Sequence, residues 1–264
     1  MSDNQHRQSE TQERKWAKSF FQETPFELYM RQDSEKTLPQ TISFLIERLN
    51  LSAGSIVFDQ CCGFGSISIP MAAQGIRVVG VDLCEKFIAQ ARLKAEENRL
   101  PCEFFLGDAA VFVPPVACDA AINWWTSFGY SDSDATNKAF IDCVFASLKP
   151  GGAFCLDYPN FCHYLMNFPE NEEYTYPSEN GEIRVQRETR IELPIGLRRQ
   201  LWRFTLPDGT EQLHDTHIKI YMPDTITSML RQAGFAEIEC FGDTTGAELS
   251  VKTARCIFLA KKVR

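Results

Sequence analysis

Asp59, Gly63, Gly65, Asp82 and Asp108 are the residues whose types and order could do chemistry. The chemistry is the holding of a nucleoside. A carboxylate at the end of a strand can accept both hydroxyls of a ribose. Glycines let a backbone pass close to a ligand, and the first turn of a helix offers N–H groups that no helical carbonyl takes. The interval from Gly65 to Asp82 falls near the roughly 20-residue offset of a nucleotide-binding strand–helix–strand unit. Further on, Asn123-Trp124-Trp125-Thr126-Ser127-Phe128-Gly129-Tyr130 sets an amide, two indoles and a phenol at another strand end. An indole there could cover a flat substrate or a cation.

These residues need elements to position them. Ile56 to Phe58 is a short apolar run that reads as a buried strand, and Ser66 to Gln74 follows as a helical segment. Arg77 to Leu83, Cys102 to Leu106, Asp119 to Trp125 and Ala153 to Tyr158 read as further strands. The helices Glu85 to Asn98 and Asp134 to Leu148 stand between them, the second with Ser133 as its cap. Alternation of this kind predicts a doubly wound parallel sheet with ligands beyond the strand carboxyl ends. Phe235 to Phe241 and Ala254 to Ala260 add a closing antiparallel pair, where a dehydrogenase would have a sixth parallel strand.

The run from Ser55 to Asn160 resembles the class I S-adenosylmethionine-dependent methyltransferases, in its small-molecule branch. The resemblance implies a Rossmann-like seven-stranded α/β sheet and S-adenosylmethionine as cofactor, with S-adenosylhomocysteine as product. It implies that the turn bearing Asp59, Cys62, Gly63 and Gly65 holds the methionine part. Asp82 and Leu83 would serve the ribose, Asp108 and Ala109 the adenine, and Asn123 and Trp124 the remaining wall. Two departures stand out: Cys61 occupies the first glycine position of the common turn, and Ser66 stands where one branch often has Arg. Methyltransferases acting on exocyclic amines of nucleobases, or on glutamine, typically carry Asn-Pro-Pro-Tyr where this chain has Asn123-Trp124-Trp125-Thr126.

Length and composition set limits. A chain of 264 residues with 44% hydrophobic and 23% charged residues suits one sizeable core plus an insertion. A net charge of −8 argues against a nucleic-acid partner. No run approaches the roughly 18 apolar residues of a membrane span, and the N-terminus is not a signal peptide. Ten cysteines, mostly in strand-like runs such as Cys102, Cys118 and Cys155, fit buried reduced thiols and a cytoplasmic protein. No ligand set at zinc spacing accompanies Cys61-Cys62, so no metal is expected.

The expected organisation is a disordered tail over 1–14, a helical lid over 15–50, the cofactor domain over 51–160 and 222–264, and a β cap over 161–221. Trp16, Phe20, Phe21 and Phe26 either pack the segment onto the core or form the lid, in which Tyr29 is the residue expected at the substrate pocket. Leu38 to Leu49 is an amphipathic helix. The cap reads as three antiparallel strands, marked by period-two runs and the Pro207-Asp208-Gly209 turn. Trp125, Phe128 and Tyr130 are the other substrate-binding expectations. Of the three histidines near the cap, His163, His214 and His217, the last is the candidate general base. The expected activity is methyl transfer to N or O of a small, planar or heteroaromatic molecule by a monomer or homodimer. The alternatives are a protein or RNA methyltransferase and a non-catalytic sensor of the cofactor. Removal of residues 1–14 should leave the thermal midpoint and turnover nearly unchanged; a large loss of turnover would place the tail in the lid.

Overall fold

Short β-branched runs give the parallel strands β1 (Ile56–Gln60), β2 (Arg77–Asp82), β3 (Cys102–Leu106), β4 (Cys118–Asn123) and β5 (Leu148–Pro159). This computed structural model describes residues 15–263, and only the backbone of Lys15, Tyr29 and residues 32–35. The expected tail over 1–14 lies outside the described residues. With β10 (Phe235–Phe241) and β11 (Arg255–Lys262), the strands form one sheet in the order β10-β11-β5-β4-β1-β2-β3. Pairing is parallel from β3 to β5, and antiparallel between β5 and β11 and between β11 and β10. The expected seven-stranded sheet with its closing antiparallel pair is present.

Buried residues alternate between the two faces of the sheet. Val57, Val78 and Ile122 pack on one side with Leu45 of helix α2 (Phe26–Arg48), which follows α1 (Lys15–Glu23), and with Leu49 at its C-cap. The short helix α3 (Ser68–Ala72) adds Met71 to that layer. Phe58, Ala121 and Phe154 pack on the other side, against Ile141 and Val144 of α5 (Asp134–Ser147) and Leu230 of α7 (Pro223–Ala233). Helix α4 (Glu85–Glu97) covers β2 and β3 through Ile88, Ala91 and Phe104. Ser133 caps α5, its hydroxyl accepting the Thr136 N–H at 3.3 Å. The helix expected from Leu38 begins at Phe26 and runs through Pro39. Its anchorage by Ile42, Phe44 and Leu45 outweighs the local cost of the proline.

After β5 come α6 (Phe161–Asn167) and a second, antiparallel sheet: β6 (Asn171–Ser178), β7 (Gly181–Glu192), β8 (Leu197–Thr205) and β9 (Glu211–Lys219). It has four strands where three were expected. The additional one is β6, whose Tyr174 and Tyr176 face Val185 and Ile183 of β7. Acidic residues and Pro177 disguised its period-two pattern. Tyr176, Ile183, Val185, Trp202 and Phe204 bury one face of this sheet against Phe20 of α1.

The segment leaving β4 is held under strain. Trp125 and Thr126 both have positive φ, 55° and 67°, which is uncommon for a bulky and a β-branched residue. Asp157, 2% exposed, accepts the Trp125 N–H at 3.1 Å and pairs with both Nε and Nη2 of Arg255, at 2.7 and 2.5 Å. Nη2 of Arg255 also donates to the Thr126 hydroxyl at 2.7 Å. One ion pair thus ties β5 and β11 to the two strained residues. Asp157→Ala should lower stability by about 2–4 kcal/mol, because it strands a partly buried guanidinium and frees the turn. Chemical denaturation of the variant checks this; a loss under about 0.5 kcal/mol, typical of a surface change, would contradict it.

Candidate active site

The site is built where β1, β2 and β4 end side by side. Asp59, at the end of β1, is buried and its Oδ2 accepts the Ser68 hydroxyl at 2.5 Å. Burial pushes its carboxyl up to about 7; the Ser68 hydrogen bond opposes this and nearby Asp82 adds to it. Asp59 therefore braces the turn from below and lines neither of the two cavities described next. The turn takes Cys61, Gly63 and Gly65 through the left-handed region, with φ of 64°, 54° and 80°. A methyl group on Gly65 would stand 3.1 Å from Ile69 and 3.4 Å from Ala91, so this glycine permits close packing of turn on helix. Cys61 accepts the conformation at a cost of about 1–2 kcal/mol.

Asp82 closes the turn from the side. Its oxygens accept the Gly63 N–H at 2.9 Å and the Cys84 N–H at 2.8 Å. Burial raises its carboxyl, while hydrogen bonds from the Cys84, Gly63 and Leu83 amides resist the rise. Asp108 accepts the Ala110 N–H at 2.8 Å. Beneath them, the Gln60 amide donates to the Ala109 and Phe140 carbonyls, both at 3.0 Å, and accepts from Asn123 Nδ2 at 3.0 Å. Asn123 Oδ1 is buried with no partner among the described residues. Gln60 was not singled out from the sequence, although a polar residue ending an apolar strand was the available signal.

A cavity of about 420 Å³ opens from this turn. Cys61, Cys62, Gly63 and Ser66 form one end, and Trp124, Trp125, Thr126 and Ser127 form the floor leaving β4. Trp16, Phe20, Phe21 and Phe26 bring α1 and the start of α2 to it. Arg187, Arg198, Gln200 and Trp202 come from the four-stranded sheet. A second cleft, of only about 50 Å³, lies among Asp82, Leu83 and Ala109, closed by Ala17, Lys18 and Phe21 of α1. Cys61, Ser127, Phe21 and Tyr130 border both spaces. Tyr130 stacks on Phe21 at 6.0 Å between ring centres and touches Trp16 at 5.1 Å. Burial lifts the Tyr130 phenol to about 12, so it stays protonated at neutral pH.

Of the expected substrate residues, Trp125 and Tyr130 line the large cavity. Phe128 lines neither space; it is 1% exposed, packed between Tyr158 and Tyr221 in the core. Tyr29 lies on α2, and its side chain is outside the described residues. His217 lines the large cavity, whereas His214 packs edge-on to Phe20 and His163 meets the Val251 carbonyl. His217 Nε2 is 3.2 Å from Trp16 Nε1 and 2.6 Å from Asp132 Oδ1. Without a proton this nitrogen accepts from Trp16; with one it donates to Asp132. Burial lowers its pKa from the usual histidine value, and Asp132 counters that effect. The cavity arginines escaped notice in the sequence, although alternation along β8 puts Arg198, Gln200 and Trp202 on one face.

Residues 57–152 match the family model of a methyltransferase domain. Over 210 residues the chain is 26% identical to a Geobacillus sp. (strain WCH70) protein described as a methyltransferase, covering 78% of this chain and 84% of that one. Among solved structures, an S-adenosylmethionine-dependent methyltransferase from Clostridium acetobutylicum superposes with a TM-score of 0.75 at 19% identity, over 89% of this chain and 95% of the other. CalS10, an amino pentose methyltransferase from Micromonospora echinaspora solved with S-adenosylmethionine bound, gives 0.69 at 17%, over 91% and 97%. The structural likenesses define the fold. The domain match marks residues 57–152 as a methyltransferase domain, on a fold shared with S-adenosylmethionine-dependent methyltransferases. No helix among the described residues is long and apolar enough to cross a membrane.

The raised Asp59 carboxyl has a signed consequence. The folded state holds a proton there up to about pH 7 while the unfolded chain releases it near 3.8. Asp59 therefore favours folding most below the unfolded value, and that contribution is lost as pH rises through about 7. Asp59→Asn should flatten the decline of stability between about pH 4 and 7, as read by urea midpoints across that range; an unaltered profile would mean that Asp59 titrates normally.

Proposed function

We propose that this methyltransferase acts on a nitrogen or oxygen of a small, planar or heteroaromatic acceptor bound in the 420 Å³ cavity. The observation that carries the reading is the continuity of that cavity from the Cys61–Gly63 turn to the wall made by Trp16, Tyr130 and Trp202. Its volume lies within the range of about 300–1,000 Å³ usual for small-molecule sites. Its aromatic walls suit a flat molecule. Among the described residues no Asp or Glu lines it, whereas Arg187, Arg198 and Arg255 do. An amino sugar, the kind of acceptor named for CalS10, would bring a cation toward Arg198, whose charge no carboxylate among the described residues offsets, so the cavity disfavours it.

The residues fit the cofactor. Asp82 and Leu83 would take the ribose, with the Cys62–Gly63 turn beside the methionine part and Ala109 and Asp108 toward the base. The buried, unpartnered Asn123 Oδ1 marks a polar need at the same strand ends. The cleft beside Asp82 has room for only a water or two at about 50 Å³. Admission of a nucleoside therefore requires Ala17, Lys18 and Phe21 to withdraw, which makes α1 the moving lid.

The cofactor when bound supplies an already activated methyl on a sulfonium. The chain's contribution is to align the acceptor lone pair at about 3 Å and exclude water. Trp125, Tyr130 and Trp202 hold the acceptor plane, and closure by α1 dries the site. Where the accepting atom carries a proton that must leave, His217 is placed to take it. Burial keeps its ring neutral, and Asp132 at 2.6 Å holds the imidazolium once formed.

Calorimetric titration tests the reading directly. S-adenosylmethionine and S-adenosylhomocysteine should both bind in the micromolar range, and Asp82→Ala should weaken both by about 1.5–3 kcal/mol, the scale of charged hydrogen bonds. Absence of binding would remove the cofactor site proposed here; unchanged affinity in the variant would remove the ribose role of Asp82.

A further inference from the structure

The three arginines of the large cavity are not equivalent. Arg255 is committed to Asp157, and Arg187 is paired with Glu172 while its guanidinium lies over the Trp202 ring. Arg198 has no carboxylate partner among the described residues. Its guanidinium stands 5.2 Å from the centre of the Tyr164 ring and 5.9 Å from that of Phe161. Its Nε is sealed from water and donates to nothing among the described residues. The Tyr164 hydroxyl, which also borders the cavity through its residue, is likewise buried and unpartnered. Two unmet polar groups therefore belong to neighbouring cavity residues, beside a charge that no carboxylate among the described residues neutralises. Burial lowers the Arg198 pKa, yet a guanidinium keeps its proton in proteins, so the charge stays.

A half-buried cation without a carboxylate partner and a buried unsatisfied hydroxyl each cost stability. A bound anion would remove both costs. We infer that the acceptor carries a carboxylate and that Arg198, assisted by the Tyr164 hydroxyl, is the residue that receives it. This rests on the acceptor cavity proposed above and narrows its occupant to an aromatic or heteroaromatic acid. Three features favour a carboxylate over a phosphate. Only one positive charge is unspent, which matches a monoanion. The guanidinium fork fits two coplanar oxygens. The remaining walls are aromatic rings, which suit the flat body of such an acid. Arg198 and the Trp125 side of the cavity would then fix the two ends of the acceptor, and the wrong end could not reach the methyl group.

The test uses benzoate and benzamide, which share a shape and differ in charge, titrated calorimetrically into the full-length protein with and without saturating S-adenosylhomocysteine. Benzoate should bind at least tenfold more tightly than benzamide to the wild type. Arg198→Gln should bring the two within about threefold, and Arg198→Lys should retain part of the preference by keeping the charge without the fork. Each variant's thermal midpoint and S-adenosylhomocysteine affinity report separately on its folding and cofactor site. Equal binding of the two probes, no binding of benzoate, or a preference that survives Arg198→Gln overturns the inference. Tighter binding of phenyl phosphate than of benzoate also overturns it, in favour of a phosphate. If S-adenosylhomocysteine does not bind but free protein still prefers benzoate through Arg198, the anion site stands and the cofactor reading falls.

Discussion

The ion pair between Asp157 and Arg255 is the interaction on which the site depends. A parallel sheet delivers β1 and β4 to the same edge, but it does not dictate what the chain does after β4. Here it turns through two successive left-handed residues, Trp125 and Thr126, neither of which favours that conformation. Asp157 accepts the Trp125 amide while Arg255 grips the Thr126 hydroxyl, so the cost is met by bonds at 2.5 to 3.1 Å. The antiparallel strand β11 is what brings Arg255 beside β5. The closing pair of the sheet thereby shapes the cavity floor as well as sealing the sheet's edge.

Electrostatics in the interior run against the balance of the whole chain. The protein has a net charge of −8, yet among the described residues the cavity wall presents guanidiniums and no carboxylate. Two of those charges are neutralised by acids set behind the wall, Asp157 and Glu172. The acids that do approach the turn, Asp59 and Asp82, are held by a hydroxyl and by backbone amides. Their carboxyls are raised because burial outweighs those hydrogen bonds. The turn is thus rigidified by acids whose charge is partly suppressed, and the large cavity is left cationic.

Aromatic contacts seat α1 beside the cavity. Trp16, Phe20 and Phe21 of a nine-residue helix meet Tyr130, Trp202 and the ring of His217. A helix this short has little stability of its own in water, so its place is set by those rings. Contacts of rings with rings are worth about 0.5–1.5 kcal/mol each beyond burial. Several such contacts together are enough to seat the helix.

Most of the sheet was legible in the sequence because each strand is a short apolar run ended by an acid, a glycine or a turn, and those signals are local. Asp82 and the glycine turn could be placed for the same reason: their spacing is fixed by one strand and one short helix. The class of cofactor followed. Tertiary structure decided the rest. Phe128 went to the core although it sits beside Trp125 and Tyr130, because the strained turn after β4 points neighbouring side chains to opposite sides. The strand β6 was masked by its acids and Pro177, and only pairing with β7 reveals it. Nothing local in the sequence sets Arg198 apart from Arg199 beside it. Its burial beside Tyr164, and its lack of a carboxylate, arise from contacts between elements far apart in the chain. Sequence determines which residues alternate on a strand; which face is closed, and which charge is left unpaired behind it, depends on what packs there.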